Sequence, residues 1–350
     1  MAYTTIDDPS EFFNTILYTG DGNASGARSI TGVGFKPDWV WIKERDNTAY
    51  HNLFDSNRGV GKVLHTNTND AEGDYTSYHT AFGSDGFTLE NNPGSLNGNT
   101  DTYVAWNWKA NGGTTSSNTD GSITSTVQAN TTAGFSIVTY TGTGSNATVG
   151  HGLGAKPNVI LLKDRAGFSW VVYHDKVASD PATDYLEFNG TIAATDYAAH
   201  FNDTEPTSTV FSLGTDGAVN GSSRNVIAYC FAEKKGYSKF GSYEANDSTD
   251  GTFIYTGFKP AWVILKCVDS TGNWFLFDNK RDNSNMVTQT IYGDLNAAEN
   301  TESNGLDFLS NGIKLRQSGS GGINHSGTYI YMAFAEHPFV SSKGVPTTAR

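Results

Sequence analysis

The ten-residue stretch GFKPDWVWIK at 34–43 is the most informative text in the chain, because it is written three times. GAKPNVILLK lies at 154–163 and GFKPAWVILK lies at 257–266. All three keep the Lys-Pro pair, and an apolar run follows it each time. A phrase that recurs about every 100–120 residues indicates a repeated domain, since the units of a solenoid are much shorter.

The same landmarks surround each phrase in the same order. An aromatic strand is predicted before the phrase, and a second aromatic strand ending in aspartate is predicted after it. A turn of the Asp-Gly kind and a closing strand complete each repeat. The opening strands start at Phe13, Phe135 and Tyr237, the second strands end at Asp55, Asp175 and Asp278, the turns are Asp85-Gly86, Asp216-Gly217 and Asn311-Gly312, and the closing strands are YVAWNWKA, VIAYCFAE and IYMAFAEH.

Each Lys-Pro phrase predicts a strand that is covered on both faces. Pro37, Pro157 and Pro260 have no N–H and a fixed φ, so they suit the entry of a strand and not its middle. The runs that follow, DWVWI, NVILL and AWVIL, are apolar on both alternating faces, which is typical of a strand buried on both sides. We expect these strands to contact other domains or subunits.

The closing strands have one large face and one small face. Large side chains are expected to fill the gap of about 10 Å between the two sheets of a sandwich. The small face is expected to let a second element, a domain or another subunit, lie close. The large faces consist of Val104, Trp106 and Trp108, then Ile227, Tyr229 and Phe231, then Ile330, Met332 and Phe334.

Composition supports an all-β fold. Glycine accounts for 39 of 350 residues, aromatic residues for 13% and charged residues for only 17%, a profile of many short strands joined by tight turns. We predict three tandem antiparallel β-sandwich repeats of the jelly-roll type. The predicted boundaries are repeats at 1–112, 135–235 and 236–337, a Gly/Ser/Thr/Asn linker at 113–134 and a C-terminal arm at 338–350.

Charge and the N-terminal sequence exclude several classes of partner. The chain has 23 basic and 36 acidic residues and a net charge of −13, with no Lys/Arg run that could form a basic patch. Nucleic-acid binding depends on such clustered cations, so no nucleic-acid partner is predicted. MAYTTIDDPSEFF has neither a basic start nor an apolar core, which predicts no signal peptide. No run reaches the roughly 18 apolar residues of a membrane span, so no membrane insertion is predicted.

No motif predicts catalysis, a metal site or a cofactor. The acidic residues fall in turns and lack the paired spacing of a glycosidase strand. The eight histidines show no H-x-H or H-E-x-x-H pairing, and there is no phosphate-binding loop. A loose match to a serine nucleophile elbow at 318–322 lies in a Gly/Ser loop without a strand-to-helix context. Cys230 and Cys267 are predicted to be buried free thiols, with a disulfide as the alternative.

Two Asp/Arg pairs at the end of the second aromatic strand allow two interpretations. They could stabilise the turn as surface ion pairs, which contribute little to stability. They could instead hold a sugar hydroxyl beside Tyr50 or Trp274. The second repeat has DKVAS at this place and no arginine, which favours the structural interpretation. The pairs are Asp55 with Arg58 and Asp278 with Arg281.

Several longer stretches resemble a domain of unknown function found in virion proteins of tailed bacteriophages, particularly marine phages. They are GFKPDWVWIKERDNTAYHNLFDSNRG, GSDGFTLE, TYVAWNWKANGG, NTDGSITSTVQANTTAGFSIVTYTGTGSNATVGHGLGAKP and YIYMAFAEHPFVSSKGVPTTAR. The resemblance covers nearly the whole chain. It implies lectin-like sandwich domains and a structural role in a tail fibre, a tail-associated position or the capsid surface, and it brings no catalytic residues. The third repeat departs from the pattern, with EANDSTDG in place of the T-G-x-G turn.

The sequence therefore predicts a non-enzymatic structural component of a phage particle, located in the virion, with host-surface or glycan recognition as a further hypothesis. The alternatives are a purely architectural decoration or adaptor protein and a carbohydrate-active enzyme on a lectin-like sandwich. Expected partners are other virion proteins, host glycans, and further copies of the chain. A homo-oligomer, with a trimer as one case, is expected because a tail or vertex position imposes symmetry.

Overall fold

The structure is a computed structural model that describes residues 3–22, 26–91, 94–319 and 322–347. Antiparallel strands build nearly all of it, and every helix among the described residues has four residues or fewer. The predicted all-β, sandwich-type fold is confirmed. Cys230 and Cys267 are both buried and free, as predicted.

The strands fall into three units, which we define as unit 1 (13–108), unit 2 (116–231) and unit 3 (238–338). A short 3-10 helix, Pro9–Glu11, precedes unit 1. Unit 1 contains β1 (Phe13–Thr19), β2 (Arg28–Thr31), β3 (Trp39–Glu44), β4 (Asn52–Asp55), β5 (Lys62–Leu64), β6 (Gly73–Asp74), β7 (His79–Gly83), β8 (Gly86–Leu89), α1 (Gly94–Asn97) and β9 (Thr102–Trp108). Unit 2 contains β10 (Ser116–Asn118), β11 (Ser125–Asn130), β12 (Phe135–Thr141), β13 (Ala147–Gly150), β14 (Val159–Asp164), β15 (Val171–His174), β16 (Asp184–Glu187), β17 (Thr195–Asp196), α2 (Ala198–Phe201), β18 (Val210–Leu213), α3 (Gly217–Asn220) and β19 (Asn225–Phe231). Unit 3 contains β20 (Ser238–Ala245), β21 (Phe253–Tyr255), β22 (Phe258–Cys267), β23 (Phe275–Asp278), β24 (Val287–Tyr292), β25 (Asn300–Leu309), β26 (Gly312–Leu315) and β27 (Gly327–Pro338).

One strand order occurs in all three units. The opening strand pairs with the closing strand, which pairs with the Lys-Pro strand, which pairs with the second aromatic strand: β1-β9-β3-β4, β12-β19-β14-β15 and β20-β27-β22-β23. Pro37 and Pro157 lie just before their strands, as predicted. Pro260 lies inside β22, where register shifts on either side of it mark a β-bulge. A bulge is one of the few places where a strand tolerates proline.

The second layer differs between the units. Unit 1 has a separate three-stranded sheet, β2-β8-β7, and unit 2 has the two-stranded sheet β13-β18. In unit 3 the corresponding strands continue from the main sheet through β24, in the order β24-β25-β26-β21. Unit 3 is therefore a single eight-stranded sheet that nearly closes on itself. This is the largest structural departure of the third unit.

The two faces of the closing strands have the opposite roles from those predicted. The large faces of β9, β19 and β27 all lie in one hydrophobic core that is shared by the three units. The small faces pack against the second layer of their own unit, in three separate clusters. In the shared core the rings of Trp39 and Tyr229 stack at 4.7 Å, and Trp108 meets Trp262 edge-on at 5.6 Å. The aromatic residues therefore join units to one another.

A small cavity lies within the shared core. Its volume is about 10 Å³, close to the minimum that holds one water molecule. All three units contribute to its lining, which is entirely apolar or aromatic: Trp39, Trp41, Trp108, Leu161, Phe188, Phe231, Trp262, Ile264, Trp274 and Met332. This cavity is too small for a sugar ring, so we do not treat it as a ligand site.

The segment predicted as a linker, 113–134, is part of the sheet of unit 2. It supplies β10 and β11, and β11 pairs with β12 along five residues. Val127 and Gln128 are buried there. Although this segment has few apolar residues, it is ordered because its backbone N–H and C=O groups form the hydrogen bonds of the sheet with β12.

The C-terminal arm is docked on the N-terminal segment. The backbone N–H and the hydroxyl of Ser342 both donate to the carboxylate of Asp7, at 2.6 and 2.5 Å. These hydrogen bonds lower the pKa of Asp7. The last residues of the predicted arm, 348–350, lie outside the described part of the chain.

Two of the landmarks that were aligned by their letters are not equivalent in space. Trp39 and Trp262 pair with Asp55 and Asp278, but the corresponding Val159 pairs with His174. Asp175 is therefore displaced by one position from its predicted equivalents. The turns at 85–86 and 311–312 close hairpins before β8 and β26, whereas 216–217 follows β18 and starts α3.

Candidate functional site

The predicted pair Asp55–Arg58 lies in a buried ionic cluster between units 1 and 2. Both side chains are fully buried, and Arg58 Nε donates to Asp55 Oδ2 at 2.5 Å. Tyr229 of unit 2 donates its hydroxyl to the same oxygen at 2.7 Å. Glu72 accepts from Arg58 at 3.0 Å and from Arg165 of unit 2 at 2.7 and 2.8 Å. The flanking arginines lower the pKa of Glu72 against the effect of its own burial.

An equivalent cluster joins units 3 and 1. Arg281 donates to Asp278 at 2.5 Å and to Glu299 at 2.9 Å. From unit 1, Arg45 donates to Glu299 at 3.0 and 2.7 Å, and Trp106 Nε1 donates to Asp278 at 3.1 Å. The side chains of both Asp/Arg pairs are fully buried, which favours the structural interpretation over a sugar contact. They are buried networks, however, and not the surface pairs that we expected.

In the part of the chain that the structure describes, the junction between units 2 and 3 has no such cluster. The positions that correspond to Asp55 and Arg58 are His174 and Val177, because β4 and β15 share a register. The positions that correspond to Arg165 and Tyr229 are Val268 and Met332, and both belong to the shared apolar core. Glu72 corresponds to Ala194, whose N–H donates to Val268 O as that of Glu72 does to Arg165 O. Unit 2 thus has no arginine in DKVAS, and unit 3 has no arginine or tyrosine at the positions that correspond to Arg165 and Tyr229.

A main-chain hydrogen bond from a ring nitrogen recurs at all three junctions. Trp170 Nε1 of unit 2 donates to His65 O of unit 1 at 2.8 Å. Trp274 Nε1 of unit 3 donates to Glu187 O of unit 2 at 2.9 Å. His51 Nε2 of unit 1 lies 3.0 Å from Tyr292 O of unit 3. Each unit therefore reaches its neighbour in the same direction, and the three units close a ring.

The last residue of each Lys-Pro phrase is a fully buried lysine: Lys43, Lys163 and Lys266. Their ammonium groups donate to backbone carbonyls close by: those of Glu44 and Cys267, the last residues of β3 and β22, and that of Phe168 in the loop after β14. Burial lowers the pKa of each lysine from 10.5 to about 8. Sequence analysis missed this role, although the invariant lysine at the end of an apolar run was the available signal.

Two exposed aromatic residues of unit 2, Phe168 and Tyr197, lie beside a small group of polar and partly buried residues. We call this set the Phe168 surface: Phe168, Tyr185, Tyr197, His200, Asp216 and Gly217. Phe168 and Tyr197 are 44% and 43% exposed, which is unusual for rings of this size. The hydroxyl of Tyr197 donates to Asp216 Oδ2 at 3.1 Å. The ring of His200 meets Tyr197 at 4.7 Å and Tyr185 at 4.3 Å. The Phe168 surface thus combines two exposed rings with polar groups that are held by hydrogen bonds.

Phe168 is held in an unfavourable backbone conformation. Its φ is +73°, a region that glycine adopts freely and a bulky residue does not. Lys163 binds its carbonyl from below, and the guanidinium of Arg224 lies 4.5 Å from its ring centroid. Arg224 in turn donates to Asp164 at 2.6 Å. Strained residues of this kind persist when the surroundings fix them, and they concentrate at functional sites.

The Phe168 surface was not identified from the sequence. The available signal was a phenylalanine placed after a glycine in the turn RAGFS, which has no aromatic counterpart in RDNTA or VDSTG. Tyr197, Asp216 and Gly217 are too distant along the chain to be associated with it by spacing. Only the tertiary structure brings them together.

Other kinds of site have little support in the part of the chain that the structure describes. No group of three or more His, Cys, Asp or Glu side chains there could hold a metal ion. In the same residues, no helix is both long enough and apolar enough for a membrane span. The Gly/Ser loop considered as a nucleophile elbow includes residues 320 and 321, which lie outside the described residues.

Comparison with known proteins places the chain in one family. Residues 8–338 match the family described as Domain of unknown function (DUF7483), so the chain belongs to that family. The match runs through all three units. No curated protein and no solved structure matches the chain.

Proposed function

We propose that this member of the DUF7483 family is a non-enzymatic structural component of a bacteriophage particle. The proposal rests on the resemblance of its repeats to tailed-phage virion proteins and on one structural observation. The core that the three units share makes the chain a single body, because every junction is closed by buried aromatic residues and by polar contacts. A rigid body of this kind suits a part that transmits position within an assembly.

The surface of the chain suits such a role as well. A net charge of −13 keeps copies apart in solution, and it favours a partner whose charge is complementary. Other virion proteins are the proposed partners, at a tail, tail-fibre or capsid-surface position.

Self-association is no longer supported by the surfaces that sequence analysis assigned to it. Both faces of the Lys-Pro strands are covered within the chain, by the shared core on one side and by the second layer on the other. The threefold arrangement that we expected between chains occurs between units of one chain. A monomer of 37.6 kDa satisfies all three junctions by itself.

Mass spectrometry of gradient-purified particles of the virus that encodes this chain tests the proposal. We expect the chain to co-purify with the particles at a fixed ratio to the major capsid protein. It should also stay bound to the particles in a wash with about 1 M salt, which removes loosely bound contaminants. Recovery of the chain only from the infected-cell lysate would contradict the proposal. Labelling particles with an antibody against the chain would then show its position.

Recognition of the host is a second candidate function, and the Phe168 surface favours it. Exposed aromatic rings with fixed polar neighbours are typical of recognition surfaces. A purely architectural protein has no need to keep two such rings in water.

A further inference from the structure

We infer that the Phe168 surface binds a neutral saccharide, with Phe168 and Tyr197 as the two stacking rings and Asp216 as a hydroxyl acceptor. The inference names a ligand class for the host-recognition part of the proposed function. Only the biological role of the binding rests on that proposed function, because the binding itself does not require it. Binding to an isolated sugar can be measured whether or not the chain is found in a virion.

The rings are fixed before any ligand arrives. Lys163 holds the carbonyl of Phe168, Arg224 covers one face of its ring, and Asp216 holds the hydroxyl of Tyr197. Both rings nevertheless keep more than two fifths of their surface in solvent. Rings that are immobile in the free protein lose little conformational entropy on binding, which strengthens a weak ligand contact.

Asp216 and Gly217 separate the two rings and supply polarity between them. Asp216 Oδ1 accepts from the N–H of Ala218 at 2.7 Å, and Oδ2 accepts from Tyr197. A carboxylate has about four lone-pair sites, so acceptor capacity is left for a hydroxyl. A Cβ built at Gly217 would lie 3.4 Å from Phe168 Cζ, so the glycine leaves a shallow gap beside the ring.

His200 packs beneath Tyr185 and Tyr197 and helps to hold their rings in place. It is 5% exposed, and its Nδ1 has no hydrogen-bond partner among the described residues. Its Nε2 lies 3.5 Å from Asp216 Oδ1. Burial lowers its pKa to about 4, so the ring is neutral at pH 7 and its Nδ1 is an acceptor. Because Nδ1 is buried, His200 supports the surface by packing against Tyr185 and Tyr197 and does not itself bind the saccharide.

This combination matches a pyranose better than a peptide or an anion. A pyranose has an apolar face of C–H groups, which stacks on an aromatic ring, and a rim of hydroxyl groups, which donate to carboxylates. Of the two cations beside Phe168, Lys163 is buried and bound to the Phe168 carbonyl, and Arg224 is already paired with Asp164 at 2.6 Å. With a net charge of −13, the chain also repels acidic glycans.

A glycan array printed with neutral hexose and N-acetylhexosamine oligosaccharides, together with sialylated ones, tests the inference. We expect binding to at least one neutral glycan, and saturation-transfer NMR should then place the contact on the protein. Phe168→Gly and Tyr197→Ala should each weaken this binding at least tenfold. Phe253→Ala and Tyr50→Ala, which remove rings that are each 44% exposed on units 3 and 1, should leave it unchanged.

Phe168→Gly also separates a binding role from a structural one. Glycine relieves the positive φ, so the melting midpoint should stay the same or rise by roughly 1 °C while binding is lost. A fall of the midpoint would show that the ring stabilises the loop and would overturn the inference. So would an array without signal on neutral glycans, a signal confined to sialylated glycans, or an equal loss of binding in the two control variants.

Discussion

The junction of units 1 and 2 and the junction of units 2 and 3 have the same geometry but opposite chemistry. In the first, Asp55, Arg58, Glu72 and Arg165 form a buried ionic cluster. In the second, histidine, valine and alanine side chains occupy the matching positions, and the arginine of the opposite unit is a valine. The ionic cluster at one junction and the apolar set at the other close the same ring, which indicates that a buried junction does not require the ions.

The comparison also shows that such clusters exchange as a whole. A buried arginine without its carboxylate is strongly destabilising, whereas a complete apolar replacement is often neutral or stabilising. At junction 2–3, every position that corresponds to a charged member of the cluster carries an uncharged or apolar residue, on both units. No buried charge is therefore left there without its partner from the cluster.

The largest effect is expected when one member of the ionic cluster is removed. Asp55→Ala leaves Arg58 buried with only Glu72 nearby and deprives the Tyr229 hydroxyl of its acceptor, so we expect a loss of about 3–5 kcal/mol. Urea unfolding followed by tryptophan fluorescence measures it. Asp175→Ala, which removes the aspartate next to the matching position His174 and its contacts with Asn158 and Lys176 inside unit 2, should cost only about 1 kcal/mol. Equal losses for the two variants would contradict the contrast between the junctions.

Transplanting the apolar set should largely repair that loss. The variant with Asp55→His, Arg58→Val, Glu72→Ala, Arg165→Val and Tyr229→Met copies junction 2–3 into junction 1–2. We expect its unfolding free energy to lie within about 2 kcal/mol of the native chain, because no unpaired charge remains. If it is less stable than Asp55→Ala alone, the two junctions are not interchangeable.

Acid should weaken junction 2–3 through His174. Its Nδ1 accepts from Lys176 N at 3.1 Å and its Nε2 lies 3.2 Å from Tyr331 O of unit 3, an arrangement that requires the neutral ring. Burial lowers its pKa from 6.5 to about 4. The unfolded state therefore takes up the proton first, and stability falls as the pH drops from 6.5 to 4.

Melting curves between pH 7 and pH 5 measure this dependence. His174→Gln should remove on the order of 1–2 kcal/mol of the acid-induced loss. The exposed His337 provides the control, since His337→Gln should leave the slope unchanged. An unchanged slope in His174→Gln would show that other groups account for the acid sensitivity.

Alkaline pH should raise the free energy of unfolding through the three buried lysines, one in each unit. The effect of each lysine should be smaller than that of His174. The folded pKa of about 8 for Lys43, Lys163 and Lys266 lies below the unfolded value of 10.5. The unfolded state binds more protons between these values, so stability rises with pH there. Between pH 7.5 and 9, below tyrosine ionisation, the gain should be about 1 kcal/mol for each lysine. Lys266→Met should reduce the rise by one third, whereas the same change at Lys239, on the surface, should not alter it.

Much of the fold was predictable from the Lys-Pro phrase. A proline followed by a doubly apolar run specifies a central strand, and its recurrence specified three units with one strand order. The positions of individual partners were harder to predict. His174 was missed because Asp175 matches the neighbouring repeats by letter, and the strand register that separates the two residues depends on pairing across the sheet. The Phe168 surface was missed because its members lie up to 49 residues apart, as Phe168 and Gly217 do.

The sequence alone determined that this chain forms β units with buried central strands, because alternation and proline placement act locally along a strand. The sequence also shows that each closing strand has one face of large side chains and one face of mostly small side chains. Only the tertiary structure decided that the large faces meet one another and the small faces turn inward to their own unit. Hydrophobic burial is non-directional, so an apolar face in the sequence predicts that the face is buried but does not identify the surface that covers it. The shapes of the three sheets, packed together, select the partner.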